Sequence, residues 1–251
     1  MIRKTFACLA LTALVSGAVW AQTADEIVEK NIQARGGKDK IKAVQTVRMT
    51  GKMTVGPGME APFTLEMARP AKARMEFSLQ GMTAVQAYDG KTGWAVMPFL
   101  GKKDPEVLPA EELAQMEEQS DLDGALVDYK DKGHQVEYIG KADFEGTPVH
   151  KLKVTLKNGK VVTYFIDAET FLELKTESKN KIQGQEMETE TVVGDYKEIG
   201  GVLFAHSIQS KIKGGPTAMT MAIDKIEVNP DVAASRFEMP KPAAAVKPPQ
   251  Q

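Results

Sequence analysis

Alternation with period two is the feature of this chain that leaves the fewest options for its fold. In APFTLEMARP, Phe63, Leu65 and Met67 fall on one face of an extended strand. Past Pro70 the phase resumes, with Ala73, Met75, Phe77 and Leu79 on one side and Lys72, Arg74, Glu76 and Ser78 on the other. That pattern belongs to a strand with one buried and one wet face. Arg69 stands in the apolar phase just before Pro70, where an unpaired cation is costly. Either it meets a partner inside, or its aliphatic stem carries the charge past Pro70 to solvent.

The same rhythm continues on both sides. Val47, Met49 and Met53 alternate with Thr46, Arg48, Thr50 and Lys52, and Gly56-Pro57-Gly58 turns the chain back. Gly81 and Asp89-Gly90 punctuate the next strands, before Trp94 and Val96. After Gly133, strands are expected over 134–139, 149–156, 161–167, 171–179, 186–193, 202–212 and 217–228, with Asn158-Gly159 the strongest hairpin signal. Connections this short exclude crossovers, so about ten or eleven antiparallel strands in one continuous meander are expected to form a single large curved sheet.

Such a sheet must bury one face. A helix is expected from Thr23 to Gln33, with Thr23 or Asp25 as its cap and Gly36-Gly37 as its stop, followed by a short turn at 38–43. Between Gly101 and Lys132 the period changes, and Leu108, Leu113 and Met116 fall near helical spacing in an acid-rich segment. This insert either caps a sheet edge or forms a movable lid over an apolar cavity. The fold class is therefore mainly β (α+β).

The first residues read as a targeting segment: Arg3 and Lys4, an apolar run from Phe6 to Val19, and Ala21 at a plausible cleavage point. A cleavable leader over 1–21 implies export, one domain over 22–240 and a disordered proline-rich tail over 241–251. Cys8, the one cysteine, falls inside that leader, so the mature chain is expected to lack disulfides and thiolate sites. Losing Arg3 and Lys4 leaves 30 of the 32 basic residues against 34 acids, a net charge of −4. Nothing there has the clustered basic excess of a nucleic-acid binder.

No catalytic constellation is visible. His134, His150 and His206 lie on separate strands with no ligand spacing, and no nucleophile elbow, phosphate loop or dinucleotide fingerprint occurs. Glu186, Glu188 and Glu190 share a wet strand face opposite Met187, Thr189 and Thr191. A non-enzymatic protein without metal or cofactor is expected. Methionine, with 13 copies, either fills gaps in a β core or provides an adaptable binding surface.

LEMARPAKARMEF, AYDGKTGWAVMPF, the acidic insert, GKVVTYFIDAETFLELKTE and GDYKEIGGVLFAHSIQ, in that order, resemble the outer-membrane lipoprotein-sorting proteins, the LolA/LolB-like periplasmic carriers. The resemblance spans roughly Ala24 to Pro240. It implies a half-open antiparallel β-barrel with helices against its concave face and acyl chains held in an apolar cavity. The expected partners are a lipid or acylated protein cargo and a membrane-anchored donor or acceptor, with no nucleic acid. The cavity wall is then expected from Val47, Met49, Leu65, Met67, Met75, Phe77, Trp94 and Val96, with Leu113 and Met116 on the lid. The family's arginine-proline pair matches Arg69-Pro70, which implies a lid latch for Arg69. Ala71, Lys72 and Ala73 depart from the bulky residues that follow the pair in the family. The same fold also occurs in envelope-stress sensors that bind an anti-sigma factor, usually with an additional C-terminal domain.

Overall fold

The computed structural model describes residues 23–55, 58–182, 185–215 and 217–240; the expected leader and tail lie outside them. The chain enters through α1 (Ala24–Ala34), where Thr23 and Glu26 form a reciprocal capping box and Ile27, Val28, Asn31 and Ile32 are buried. A short α2 (Lys38–Ala43) buries Ile41. Then come β1 (Thr46–Val55), β2 (Met59–Ala68), β3 (Lys72–Leu79), β4 (Met82–Tyr88), β5 (Gly93–Met97) and β6 (Lys102–Val107). After α3 (Ala110–Gln119) follow β7 (Gln135–Phe144), β8 (Thr147–Thr155), β9 (Val161–Asp167), β10 (Glu173–Ile182), β11 (Gln185–Ile199), β12 (Val202–Ile212) and β13 (Thr217–Val228).

All 13 strands form one antiparallel sheet in the order β6-β5-β4-β3-β2-β1-β13-β12-β11-β10-β9-β8-β7. Two points differ from the sequence expectation. The strand β6, KKDPEV, was hidden inside the insert because Pro105 and its charges speak against a strand interior; as an edge strand it tolerates both. The meander is also not continuous, since β1 pairs with β13 and the two edges are β6 and β7, neighbours in sequence. The helical insert is thus the connection from one rim of a half-open barrel to the other.

Curvature has a local cause where the first and last strands meet. The β1/β13 register shifts between Thr50 and Gly51, and a Cβ on Gly51 would lie 2.0 Å from the Ala222 carbonyl oxygen. Only glycine permits that approach, and the bulge bends the strand. On the concave face Ile27, Ile32 and Ile41 of the helices, with Leu126 and Val127 after α3, pack against Val47, Phe63, Leu152, Ile166 and Ile223.

The outer face carries a different set. Register aligns Arg48, Glu66, Arg74, Ala87 and Trp94, one residue out of phase with Val47, Met67, Ala73, Tyr88 and Gly93. The segment after β13 lies across this outer row: Arg236 binds Glu66 at 2.5 Å and Glu76 at 3.0 Å, and the Trp94 indole donates to the Phe237 carbonyl at 2.8 Å. Trp94 and Val96 therefore face away from the concave side. The Asp89-Gly90 hairpin sets β5 with Gly93, Ala95 and Met97 in the inner phase instead.

Candidate functional site

Successive residue pairs across the sheet trace the inner wall as rows. One runs Tyr138, Leu152, Tyr164, Thr176, Thr191, Ser210 and Met219 from β7 to β13. Another runs Val193, Ile208, Met221, Met53 and Ala61 from β11 to β2. The first row changes character between β12 and β13, whereas the second is apolar throughout. The β13–β4 side of the wall presents Met49, Leu65, Met75 and Phe77, half-buried and packed on the main core. Along the first row its β9–β12 side presents the hydroxyls of Tyr164, Thr176, Thr191 and Ser210.

Above the wall, α3 bridges the opening. Leu113 and Met116 dock on Met67, Ala73, Tyr88 and Ala95 at one rim. A Cβ on Gly93 would come within 2.9 Å of Leu113 Cδ1, so β5 offers the helix a glycine where it comes closest. At the other rim, Lys160 just before β9 donates to both oxygens of Glu118, at 3.0 and 2.9 Å, and Lys157 lies 3.6 Å from Glu117. One rim is held by apolar contact and the other by charge.

Arg69 points inward. Its Nε donates to the Val44 carbonyl at 2.7 Å, and its Nη2 donates to the Ile41 carbonyl at 3.0 Å and to Asp123 Oδ1 at 2.5 Å. Both carbonyls lie at the end of α2, a position that favours a cation, and that of Ile41 also accepts the Val44 amide at 3.2 Å. Asp123, buried four residues beyond α3, also accepts from Lys42 at 2.6 Å. Burial would raise its carboxyl, but the bonds from Arg69 and Lys42 prevail and hold it at about 2. Among the described residues, the side-chain hydrogen bonds of Arg69 go to the end of α2 and to the segment that follows α3, which they fasten together.

Between α3 and β9–β12 lies a cavity of about 400 Å³. Gln115, Glu118 and Gln119 line it from the helix, Lys160, Val162, Tyr164 and Glu173 from one flank, and Thr176, Ser178, Thr189, Thr191 and Ser210 from the sheet. The apolar cavity expected from the sequence is thus absent from this part of the interior, whose lining is mostly polar. Thr191 and Ser210 share a hydrogen bond of 3.0 Å. Burial pushes Glu173 up to about 7 against the field of Arg35, and burial followed by the charge of Glu173 raises the Tyr164 phenol.

The structure sorts the expected wall residues into four places. Met49, Leu65, Met75 and Phe77 form the half-buried inner strip; Met67, Leu113 and Met116 form the seat of α3. Val47 is wholly buried in the core, and Trp94 and Val96 are on the outer face. Asp123 and the hydroxyl wall were missed. A signal for the wall existed: Thr176 and Ser178, like Thr189 and Thr191, alternate with charged residues, so neither face of β10 and β11 reads as a core face. The histidines have separate local partners: His150 stacks on Phe171, His134 accepts from the Lys157 amide, and His206 Nδ1 lies 3.1 Å from the Phe204 carbonyl.

No protein-family model and no curated protein matches this sequence. Solved structures do. An outer membrane lipoprotein-sorting protein domain from Vibrio parahaemolyticus is 12% identical with a TM-score of 0.59, covering 85% of this chain and 95% of that one. A DUF1329 family protein from Desulfovibrio piger is 10% identical with a TM-score of 0.61, covering 86% and 97%. A LolA superfamily protein from Nitrosomonas europaea is 14% identical with a TM-score of 0.57, covering 87% and 98%. At these identities the likeness is one of architecture, and the chain has the half-open barrel fold of the lipoprotein-sorting proteins.

Proposed function

We propose that this protein is a periplasmic carrier that shelters acyl chains of a lipid or acylated protein between its concave wall and α3, receiving them from a membrane-anchored donor or passing them to such an acceptor. The observation that carries this reading is the strip Met49, Leu65, Met75 and Phe77, four large apolar side chains left half-buried inside a bridged barrel. Methionine suits such a wall because its unbranched thioether adapts to chains of different shape.

Magnitudes favour loading over closure. Each buried methylene of cargo contributes about 0.8 kcal/mol, so a long acyl chain supplies on the order of 10 kcal/mol before the costs of association. The Glu118–Lys160 pair is partly exposed and is worth at most about 1 kcal/mol, so the charged rim of α3 yields first. The Arg69–Asp123 bond is buried and stronger, and it keeps the chain beyond α3 anchored while the helix moves. No step of this cycle calls for catalysis.

Uptake of a long-chain fluorescent fatty acid tests the proposal. The protein should saturate at one chain or a few per molecule, and Leu65→Asp or Met75→Asp should weaken uptake by about tenfold or more while the circular dichroism stays that of a β protein. Absence of saturable uptake by the unaltered chain overturns it.

A further inference from the structure

We propose that the polar side of the cavity is a head-group subsite, and that it selects a cationic amine carried by an amphiphilic cargo whose chain lies along the methionine wall. The chain part rests on the carrier reading above; the head-group part rests on independent side chains, those of β9–β12 and α3.

Two walls of opposite character adjoin there. Ser210 on β12 is the register partner of Met219 on β13, so a ligand crossing that boundary passes from hydroxyl to thioether within one strand spacing. A cargo made of hydrocarbon alone has no use for the polar side, and a purely polar ligand has none for the methionine strip. An amphiphile uses both.

Charge decides which head group. Lys160 is held by both oxygens of Glu118, and when that pair parts on loading it releases a carboxylate together with the ammonium, so Glu173 remains the excess charge of the cavity lining. Glu173 lines the cavity, and among the described residues its carboxyl has no hydrogen bond or ion pair. Its backbone carbonyl, by contrast, accepts from the Tyr196 hydroxyl at 2.9 Å. The cation whose charge acts on it, Arg35 at the end of α1, donates to the Asp123 carbonyl at 3.1 Å. Asp121, whose charge also reaches Tyr164, is bound to Lys132 at 2.5 Å. Among the described residues the compartment therefore contains one carboxyl without a partner, beside hydroxyls and carboxamides.

A phosphate or carboxylate head would add negative charge to a lining whose two carboxylates, Glu118 and Glu173, already outnumber its one ammonium, Lys160. An ammonium would supply the missing partner, and its three donors match one carboxylate and the neighbouring hydroxyl oxygens. The raised Glu173 carboxyl fits this role, since a bound cation returns it toward the ordinary range.

Dodecylamine, monolaurin and laurate carry twelve-carbon chains that end in cationic, neutral and anionic heads. Calorimetric titration of each into the unaltered protein, below micellar concentration and at pH about 8 where the ordinary carboxyl is ionised, separates head from chain. Dodecylamine should bind about tenfold or more tightly than laurate, with monolaurin between. Glu173→Gln should bring the amine down to the level of monolaurin and leave monolaurin unchanged, whereas Glu173→Asp should retain the preference. Equal affinities, tighter laurate, or an amine preference that survives Glu173→Gln overturns the head-group assignment and leaves the carrier reading intact. Failure of all three to bind overturns both.

Discussion

Arg69 donates to two backbone carbonyls and to the Asp123 carboxylate, so removing its head group leaves three acceptors short of a donor. Arg69→Leu should cost about 3 kcal/mol in urea unfolding, because Lys42 remains as the other partner of Asp123, and it should speed probe uptake. An unchanged uptake rate would remove the latch role and leave Arg69 as a structural tie. Asp123 and Glu173 predict opposite pH dependences. Asp123, held at about 2 in the fold against an ordinary 3.8, contributes stability that is complete above pH 3.8 and is lost as pH falls to about 2. The loss is about 2 kcal/mol. Glu173, raised from 4.5 to about 7, is tolerated best below pH 4.5, and stability falls as pH rises toward 7. Solvent in the cavity trims this to at most about 3 kcal/mol. Glu173→Gln should therefore raise the urea midpoint at pH about 8 and leave it unchanged at pH about 4; equal effects at both would contradict the burial of this carboxyl.

The element that moves in this account is α3, and its apolar rim sets how firmly it docks. Met116 is buried against Tyr88 and Ala73, so Met116→Ala should cost about 2–4 kcal/mol. Hydrogen exchange locates that cost: α3 amides should exchange faster while β1 and β13 amides keep their protection. Uniform acceleration would mean that the helix is part of the global fold and not a separable lid. Gly51 offers the contrast, since its Cβ would strike the Ala222 carbonyl oxygen; Gly51→Ala should lower the melting temperature of the whole sheet. Individual strands were legible because alternation marks a half-buried ribbon, and Thr23 marked the start of α1. The strand β6 was illegible because an edge carries little burial to impose a pattern. Alternation alone puts Trp94 on the inner face because a large aromatic reads as core on either side of a sheet; the β4/β5 register turns it outward, where its indole meets the C-terminal segment.

At the scale of the molecule, local pattern carries the fold class, while closure depends on contacts between chain ends. That β1 meets β13, and that the insert consequently spans the mouth, follows from pairing across nearly the whole chain, which no window of alternating residues encodes. The same distance hid Asp123: nothing near residue 123 announces a partner at residue 69. Arg69 was conspicuous because a lone cation in an apolar phase is anomalous without knowledge of its partner. The hydroxyl wall went unread for the converse reason, since Thr and Ser are ordinary on an exposed strand face and become unusual only once that face is known to be inside. Native mass spectrometry of the protein isolated from a bacterial periplasm decides whether this interior holds an acyl chain: bound adducts with the masses of lipids or acylated species, lost on collisional activation, are expected, and a spectrum containing only the bare chain, unchanged after incubation with lipid, overturns the carrier reading.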